Sequence, residues 1–231
     1  MLLPGRNDVE NIIVNDELGM GLSKVSNRGW SVYGVLKRLI DIVGAFAGLV
    51  VLLPLLIVVS ILVKIDDPKG SVFYYQTRVG KDEKHFRMYK FRSMVRDADK
   101  QLEKLLGQNE IEGAMFKMRH DPRVTRIGRF IRKTSIDELP QLVNVLRGDM
   151  SLVGPRPPLP REVKEYTLYD KQRLSVTPGC TGLWQISGRN ELSFGQMVEL
   201  DLKYINQCSI RFDCLIILKT IKMLLGSKNA Y

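Results

Sequence analysis

The chain of 231 residues carries 35 Lys/Arg against 25 Asp/Glu, a formal net charge of +10, and is 45% hydrophobic, which excludes a disordered polymer and suffices for one compact domain with accessories. Its three cysteines form no CxxC pair, which argues for a reducing compartment and against a disulfide framework. With only His85 and His120 present, a histidine-rich zinc site is excluded and any catalysis falls to carboxylates and cations.

The charge is uneven. Residues 1–63 hold five basic and five acidic side chains, so the whole excess falls on 64–231. A basic domain beside an apolar segment points to anionic lipid, phosphorylated substrates or nucleic acid, with solubility charge as the plainer alternative. Residues 1–34 show no strong periodicity and several turn formers, and read as a loosely ordered N-terminal extension.

Residues 42–63, IVGAFAGLVVLLPLLIVVSILV, are 22 positions with Ser60 as the one polar side chain. A helix of that length extends roughly 33 Å, about one hydrocarbon thickness. The segment starts too far into the chain for a signal peptide. Pro54 near its centre removes a helical hydrogen bond, and Lys37, Arg38, Lys64 and Lys69 put cations on both flanks. These residues fit a helix that enters, breaks and returns to one face; a kinked single span and a buried soluble helix remain the alternatives. Asp41 is expected to pair with Lys37 or Arg38 near the interface, or to cap a neighbouring backbone.

Beyond the turn at 66–70, residues 71–75 are β-prone, 78–82 read as a hairpin turn, and 85–91 alternate as a returning strand. Residues 97–106 read as a short amphipathic helix and 107–113 as a loop. Val124, Ile127 and Ile131 share a helical face beside Arg123, Arg126, Arg129 and Arg132, and 117–133 hold seven Lys/Arg against Asp121 alone. That stripe is either a solvated face or a phosphate contact. Ser135 and Glu138 have capping-box spacing and Pro140 is tolerated only in a first turn, which predicts a helix starting near Asp137. Two carboxylates would then sit at a helix start, about 100° apart, one free to face a phosphorus and the other to hold a divalent cation. A merely acidic cap is the common alternative.

Arg156 lies clamped between Pro155 and Pro157, which pre-positions a guanidinium for bidentate phosphate binding. Residues 178–189 form a glycine-rich loop with Trp184 and Arg189. An apolar band across 212–225, interrupted by Lys219 and Lys222, suits an amphipathic helix in the membrane interface or a packed core helix.

The order KRLID, a proline-interrupted membrane run, YKFRSM (89–94), DPRVTRIGRFIRKTSIDELPQL (121–142), GDMSLVGPRP and PGCTGLWQISGR resembles the bacterial sugar transferases known as monotopic phosphoglycosyl transferases, from about Lys37 to the C-terminus. The resemblance implies transfer of a sugar phosphate from a UDP-sugar to undecaprenyl phosphate with release of UMP, at the cytosolic face of the bacterial cytoplasmic membrane. That step initiates exopolysaccharide, capsule or O-antigen-type glycans. It implies a helix-rich α+β fold: a re-entrant helix-break-helix over 35–65, then a catalytic domain over 66–231 with a small antiparallel hairpin and interfacial amphipathic helices. It implies the compact catalytic unit without the membrane bundle and extra soluble domain of larger members.

By the same resemblance, Asp137 is the nucleophile forming an aspartyl phospho-sugar and Glu138 the magnesium ligand. Arg156 binds phosphate, Arg132 contacts a phosphate headgroup, and Lys90 and Arg92 reach substrate phosphates. Membrane lipids and a possible homo-oligomer are expected partners, and nucleic acid is not. The stretch 206–213 departs from the Trp-Ser pattern common in the family, which puts the interfacial region there in doubt. The competing functions are another membrane-anchored phosphotransferase or phosphohydrolase using the same acid pair, and a non-enzymatic scaffold binding anionic lipid or nucleic acid through the arginine stripe. The sugar remains open among glucose, galactose and N-acetylated forms.

Overall fold

The computed structural model describes residues 31–105, 107, 118, 121–188 and 192–226. The extension up to residue 30, most of the 107–113 loop, Lys117, Arg119 and Arg189 lie outside the described residues.

Helix α1 runs over Val32–Asp66, its start fixed by Ser31, whose side chain accepts from the Gly34 amide. Among the described residues it is the one helix long and apolar enough to cross a membrane. The helix continues unbroken through Pro54, and so differs from the helix-break-helix expected of 35–65. Proline costs the ladder one bond there, and packing elsewhere along α1 keeps the remainder helical. The outer side of α1 exposes Val43, Phe46, Val50, Val51, Leu53, Ile57, Val58 and Ile61.

One side of α1 packs on the globular domain, with its buried residues at Asp41 and Ala45 and again at Val59 and Val63. Arg38 donates from Nη1 to the Val145 carbonyl at 2.6 Å and from Nη2 to Leu146 at 2.8 Å. It thereby caps the last carbonyls of helix α4 (Gln141–Arg147), of which Val145 also accepts from the Gly148 amide. Asp41 is buried and accepts from Ser151 Oγ at 3.0 Å and from the Leu152 amide at 2.8 Å. The ion pair anticipated for it with Lys37 or Arg38 is not what holds it: Arg38 reaches α4, and Lys37 donates to Asp213 at 2.9 Å. Asp213 also accepts from Tyr33 and Tyr204.

Strands β1 (Phe73–Val79) and β2 (His85–Phe91) form the expected antiparallel hairpin, pairing Tyr74 with Lys90 and Arg78 with Phe86. Strand β1 runs four residues past the β-prone stretch, and the chain turns over 80–84, so Arg78 and Val79 are strand rather than turn. The edge of β2 is closed by a side chain. Asn144 of α4 accepts from the Tyr89 amide at 2.9 Å and donates to the Arg87 carbonyl at 2.7 Å, standing in for a strand neighbour.

Helix α2 covers Ala98–Leu105 and helix α3 covers Arg126–Lys133, with Thr125 as N-cap. Val124 precedes α3 and bridges to Met94. Gly128 lies so close to β2's continuation that an added Cβ would meet the Ser93 carbonyl oxygen at 1.9 Å. The glycine that weakens the helical pattern there is what lets α3 lie against the strand.

A second sheet, parallel and two-stranded, joins β3 (Ser151–Val153) to β4 (Gly179–Thr181). It brings the GDMSLVGPRP and PGCTG segments side by side. At Gly179 a Cβ would fall 2.0 Å from the Gly154 nitrogen, so close backbone approach demands glycine. Between these strands lie the short helices α5 (Pro160–Val163) and α6 (Leu168–Lys171), and the chain closes with α7 (Phe194–Gln207) and α8 (Ile210–Gly226). Helix α8 buries Ile216 and exposes Leu215, Leu218, Ile221 and Leu224. It therefore combines the packed and the amphipathic alternatives.

Two apolar clusters flank the dyad, and α1 enters both. Ala45 packs with Met88, Val145 and Met150, and Val59 and Val63 pack with Phe91 and Ile131.

Candidate functional site

Helix α3 ends at Thr134, and Ser135 then adopts a left-handed backbone, φ 56°. That turn sends Ile136–Glu138 into a single 3₁₀ turn ahead of α4. The expected capping box does not form, because Ser135 in this conformation makes no side-chain cap and the α-helix begins only at Gln141. A non-glycine residue held at positive φ stores strain, and here the strain adjoins the two carboxylates. Ile136 is fastened into the cluster of Val59, Val63, Phe91 and Ile131, which fixes the turn from below.

Asp137 is 7% exposed. Burial pushes its carboxyl up to about 6, opposed by the charge of Lys90, reinforced by neighbouring Glu138 and opposed again by Arg132. Glu138 behaves in the opposite sense. Burial would raise it, but the charge and hydrogen bond of Lys90, then Arg156 and Arg78, hold it down at about 2. Lys90 Nζ donates to Glu138 Oε1 at 2.7 Å. Adjacent carboxyls pushed apart in this way divide the labour: one remains a permanent anion and the other titrates near neutrality.

The structure thus brings together Asp137, Glu138, Lys90, Arg132 and Arg156 of the residues singled out from sequence. Lys90 arrives on β2, Arg132 on the last turn of α3, and Arg156 on the turn after β3. Arg92 goes elsewhere, with Nη2 3.6 Å from an Asp67 carboxylate oxygen in the turn after α1. The arginine stripe divides likewise. Arg126 and Arg129 are exposed, whereas Arg123 is buried in an ion pair with Asp121 at 2.6 Å.

Sequence reasoning missed Arg78. It is 4% exposed, donates from Nη1 to the Pro157 carbonyl at 2.9 Å and from Nη2 to Gln76 Oε1 at 2.6 Å, and acts electrostatically on Glu138. Strand alternation carried the signal: Tyr74, Gln76 and Arg78 share the hairpin face on which Lys90 stands opposite Tyr74.

Four cations, Lys90, Arg78, Arg132 and Arg156, therefore surround two carboxylates. The excess of two positive charges suits a diphosphate. No group of three or more His, Cys, Asp or Glu forms a closed metal cage among the described residues. A magnesium ion does not require one, since it is commonly held by one or two carboxylates together with substrate phosphates. The donor chemistry of Glu138 beside Asp137 fits that shared mode.

A family model described as bacterial sugar transferase matches residues 32–227. The chain is 50% identical over 197 residues to the galactosyl transferase CpsE of Streptococcus agalactiae serotype III, the match covering 85% of this chain and 43% of that protein. It is 44% identical over 200 residues to an undecaprenyl-phosphate galactose phosphotransferase of Salmonella typhimurium, covering 85% and 42%. It is also 41% identical over 202 residues to the exopolysaccharide production protein ExoY of Rhizobium meliloti, covering 86% and 89%. The chain spans about half the length of the first two relatives and nearly the whole of the third.

Proposed function

The chain belongs to the bacterial sugar transferase family, and on that premise we propose that it moves a sugar-1-phosphate from a UDP-sugar to undecaprenyl phosphate, releasing UMP, in the first membrane step of exopolysaccharide- or capsule-type synthesis. The observation that carries the reading is the buried Asp137 beside a permanently ionised Glu138 within a ring of four cations.

In the first step an Asp137 carboxylate oxygen attacks the sugar-bearing phosphorus, and the bond to the bridging oxygen breaks as UMP departs. Arg156 and Arg132 offset the charge on the phosphate oxygens. In the second step an oxygen of the lipid phosphate attacks the same phosphorus, the bond to Asp137 breaks, and the carboxylate is restored. No side chain needs to remove a proton from either nucleophile, which accords with a site of carboxylates and cations. A magnesium ion, held by Glu138 and the diphosphate, would supply further charge neutralisation at the departing oxygen.

We place the site at the cytosolic face of the cytoplasmic membrane, with both ends of α1 on that side. The support is that Lys37, Arg38 and Asp41 at one end of α1 and Val59 and Val63 at the other pack on the same globular domain. The exposed apolar sides of α1 and α8 would lie in lipid.

The test is UMP release measured against a panel of UDP-sugars with undecaprenyl phosphate and magnesium. Continuous turnover should require the lipid phosphate, and its omission should leave a burst of about one UMP per enzyme. Steady UMP formation without the lipid would indicate a hydrolase and overturn the assignment.

A further inference from the structure

Arg78 lies outside every motif by which the site was anticipated, yet it is among the most buried charges of the described residues. It occupies the penultimate position of β1, and its two Nη atoms are taken by the Pro157 carbonyl and Gln76 Oε1. Its Nε has no hydrogen-bond partner. The adjacent Val79 amide donates to the Pro158 carbonyl at 2.9 Å, so the end of β1 grips the Pro-rich turn at two successive carbonyls. Both grips fall immediately after Arg156. Gln76, pinned by the second arm, keeps the guanidinium from rotating away.

Such an arrangement is costly if its role is structural alone. A buried guanidinium with an orphaned N–H, placed beside a second guanidinium, loses hydration and meets repulsion; burial first and Arg156 second bring Arg78 down to about 10. What the guanidinium provides is a fixed carbonyl at Pro157 and a fixed positive charge behind Glu138.

We propose that Arg78 is a positioning residue for phosphate capture: it locks the Pro155–Pro157 turn so that Arg156 faces the diphosphate, and acts on substrate through Arg156. The inference rests on the functional reading above and deepens it.

The geometry implies dependence between the two arginines, which a double-mutant cycle reads directly. In full-length protein in membranes, Arg78→Met should lower kcat/KM for the UDP-sugar about 100-fold, the scale of a misplaced binding group. Its melting temperature should fall by a few degrees, because the Pro157 carbonyl and Gln76 lose a buried donor, so kcat/KM is taken per folded molecule. Arg78→Lys keeps one donor toward Pro157 and should recover part of the loss. In the Arg156→Gln background, Arg78→Met should add little further loss.

Losses that multiply would mean that Arg78 contacts phosphate independently and would overturn the positioning role. A fall in melting temperature with unchanged kcat/KM per folded molecule would reduce Arg78 to a structural part and overturn it too. Parent protein that releases no UMP from any UDP-sugar would overturn the functional reading and this inference together. An active parent with a fully active Arg78→Met variant would overturn this inference alone.

Discussion

Lys90→Met probes the electrostatics of the site most directly. Lys90 donates to Glu138 at 2.7 Å, and after burial its charge is the largest influence on Asp137, leaving that carboxyl at about 6. At an effective dielectric of ~20, a unit charge on the order of 6–8 Å away contributes about 2–3 kcal/mol, and ~1.4 kcal/mol corresponds to one pKa unit. The Lys90 side chain is 18% exposed, so water screens part of that interaction. Its removal should therefore raise Asp137 by about one to two units.

The sign follows from the chemistry, since a protonated Asp137 cannot attack phosphorus. With the group at about 6, most of it is ionised at pH 7. Displaced upward by about 1.5 units, only about a quarter would be ionised. The profile of kcat/KM against pH, followed by UMP release, reports the free enzyme. Its acid limb should move up by about one to two pH units, with about a fourfold loss at pH 7 from ionisation alone. A lost phosphate contact would lower the plateau at every pH without moving the limb. An acid limb that coincides with that of the parent refutes the reasoning, whatever happens to the plateau.

Asp137→Asn should abolish turnover and also stabilise the fold. The folded value of about 6 stands above the ordinary 3.8, so this group's contribution to stability is full below about pH 4 and lost as pH rises through 6. At pH 7 the ionised carboxyl costs up to about 3 kcal/mol, and the amide should raise the melting temperature by several degrees, a gain that vanishes near pH 4. A variant melting at or below the parent at pH 7 would contradict this. Glu138→Gln should weaken activity and magnesium response together, read by titrating the metal in the UMP assay; an unchanged metal profile rejects the ligand role. Epitope tags placed ahead of Lys37 and after Lys64 should both be shielded in sealed right-side-out cells, and external labelling of one of them would establish a span.

The hairpin, α2, α3 and the apolar helix were legible because each rests on local signals: alternation, helical periodicity, turn formers and the unusual composition of 42–63. What sequence could not supply came from long-range pairing. Asp41 was expected either to pair with Lys37 or Arg38 or to cap a neighbouring backbone; it does cap backbone, but at Leu152, with the Ser151 hydroxyl beside it, 111 and 110 residues away. The Ser135–Glu138 spacing promised a capping box. Packing of Ile136 and the left-handed Ser135 produced a tighter turn instead, a tertiary override of a local preference. The parallel pairing of Ser151 with Gly179 joins segments that no periodicity links. Arg78 was hidden by misplacing the turn, since a residue assigned to a loop acquires no face.

The packing of α1 has a consequence for how such a protein can be handled. Ala45, Val59 and Val63 close two interior clusters, Arg38 finishes α4, and Asp41 satisfies the backbone of β3. Trimming the hydrophobic segment to gain solubility would open both clusters and strip partners from the helix and strand that frame the dyad. The apolar helix and the chemical site are thus a single folding unit. A detergent or nanodisc that suits α1 is a condition of the catalytic architecture itself.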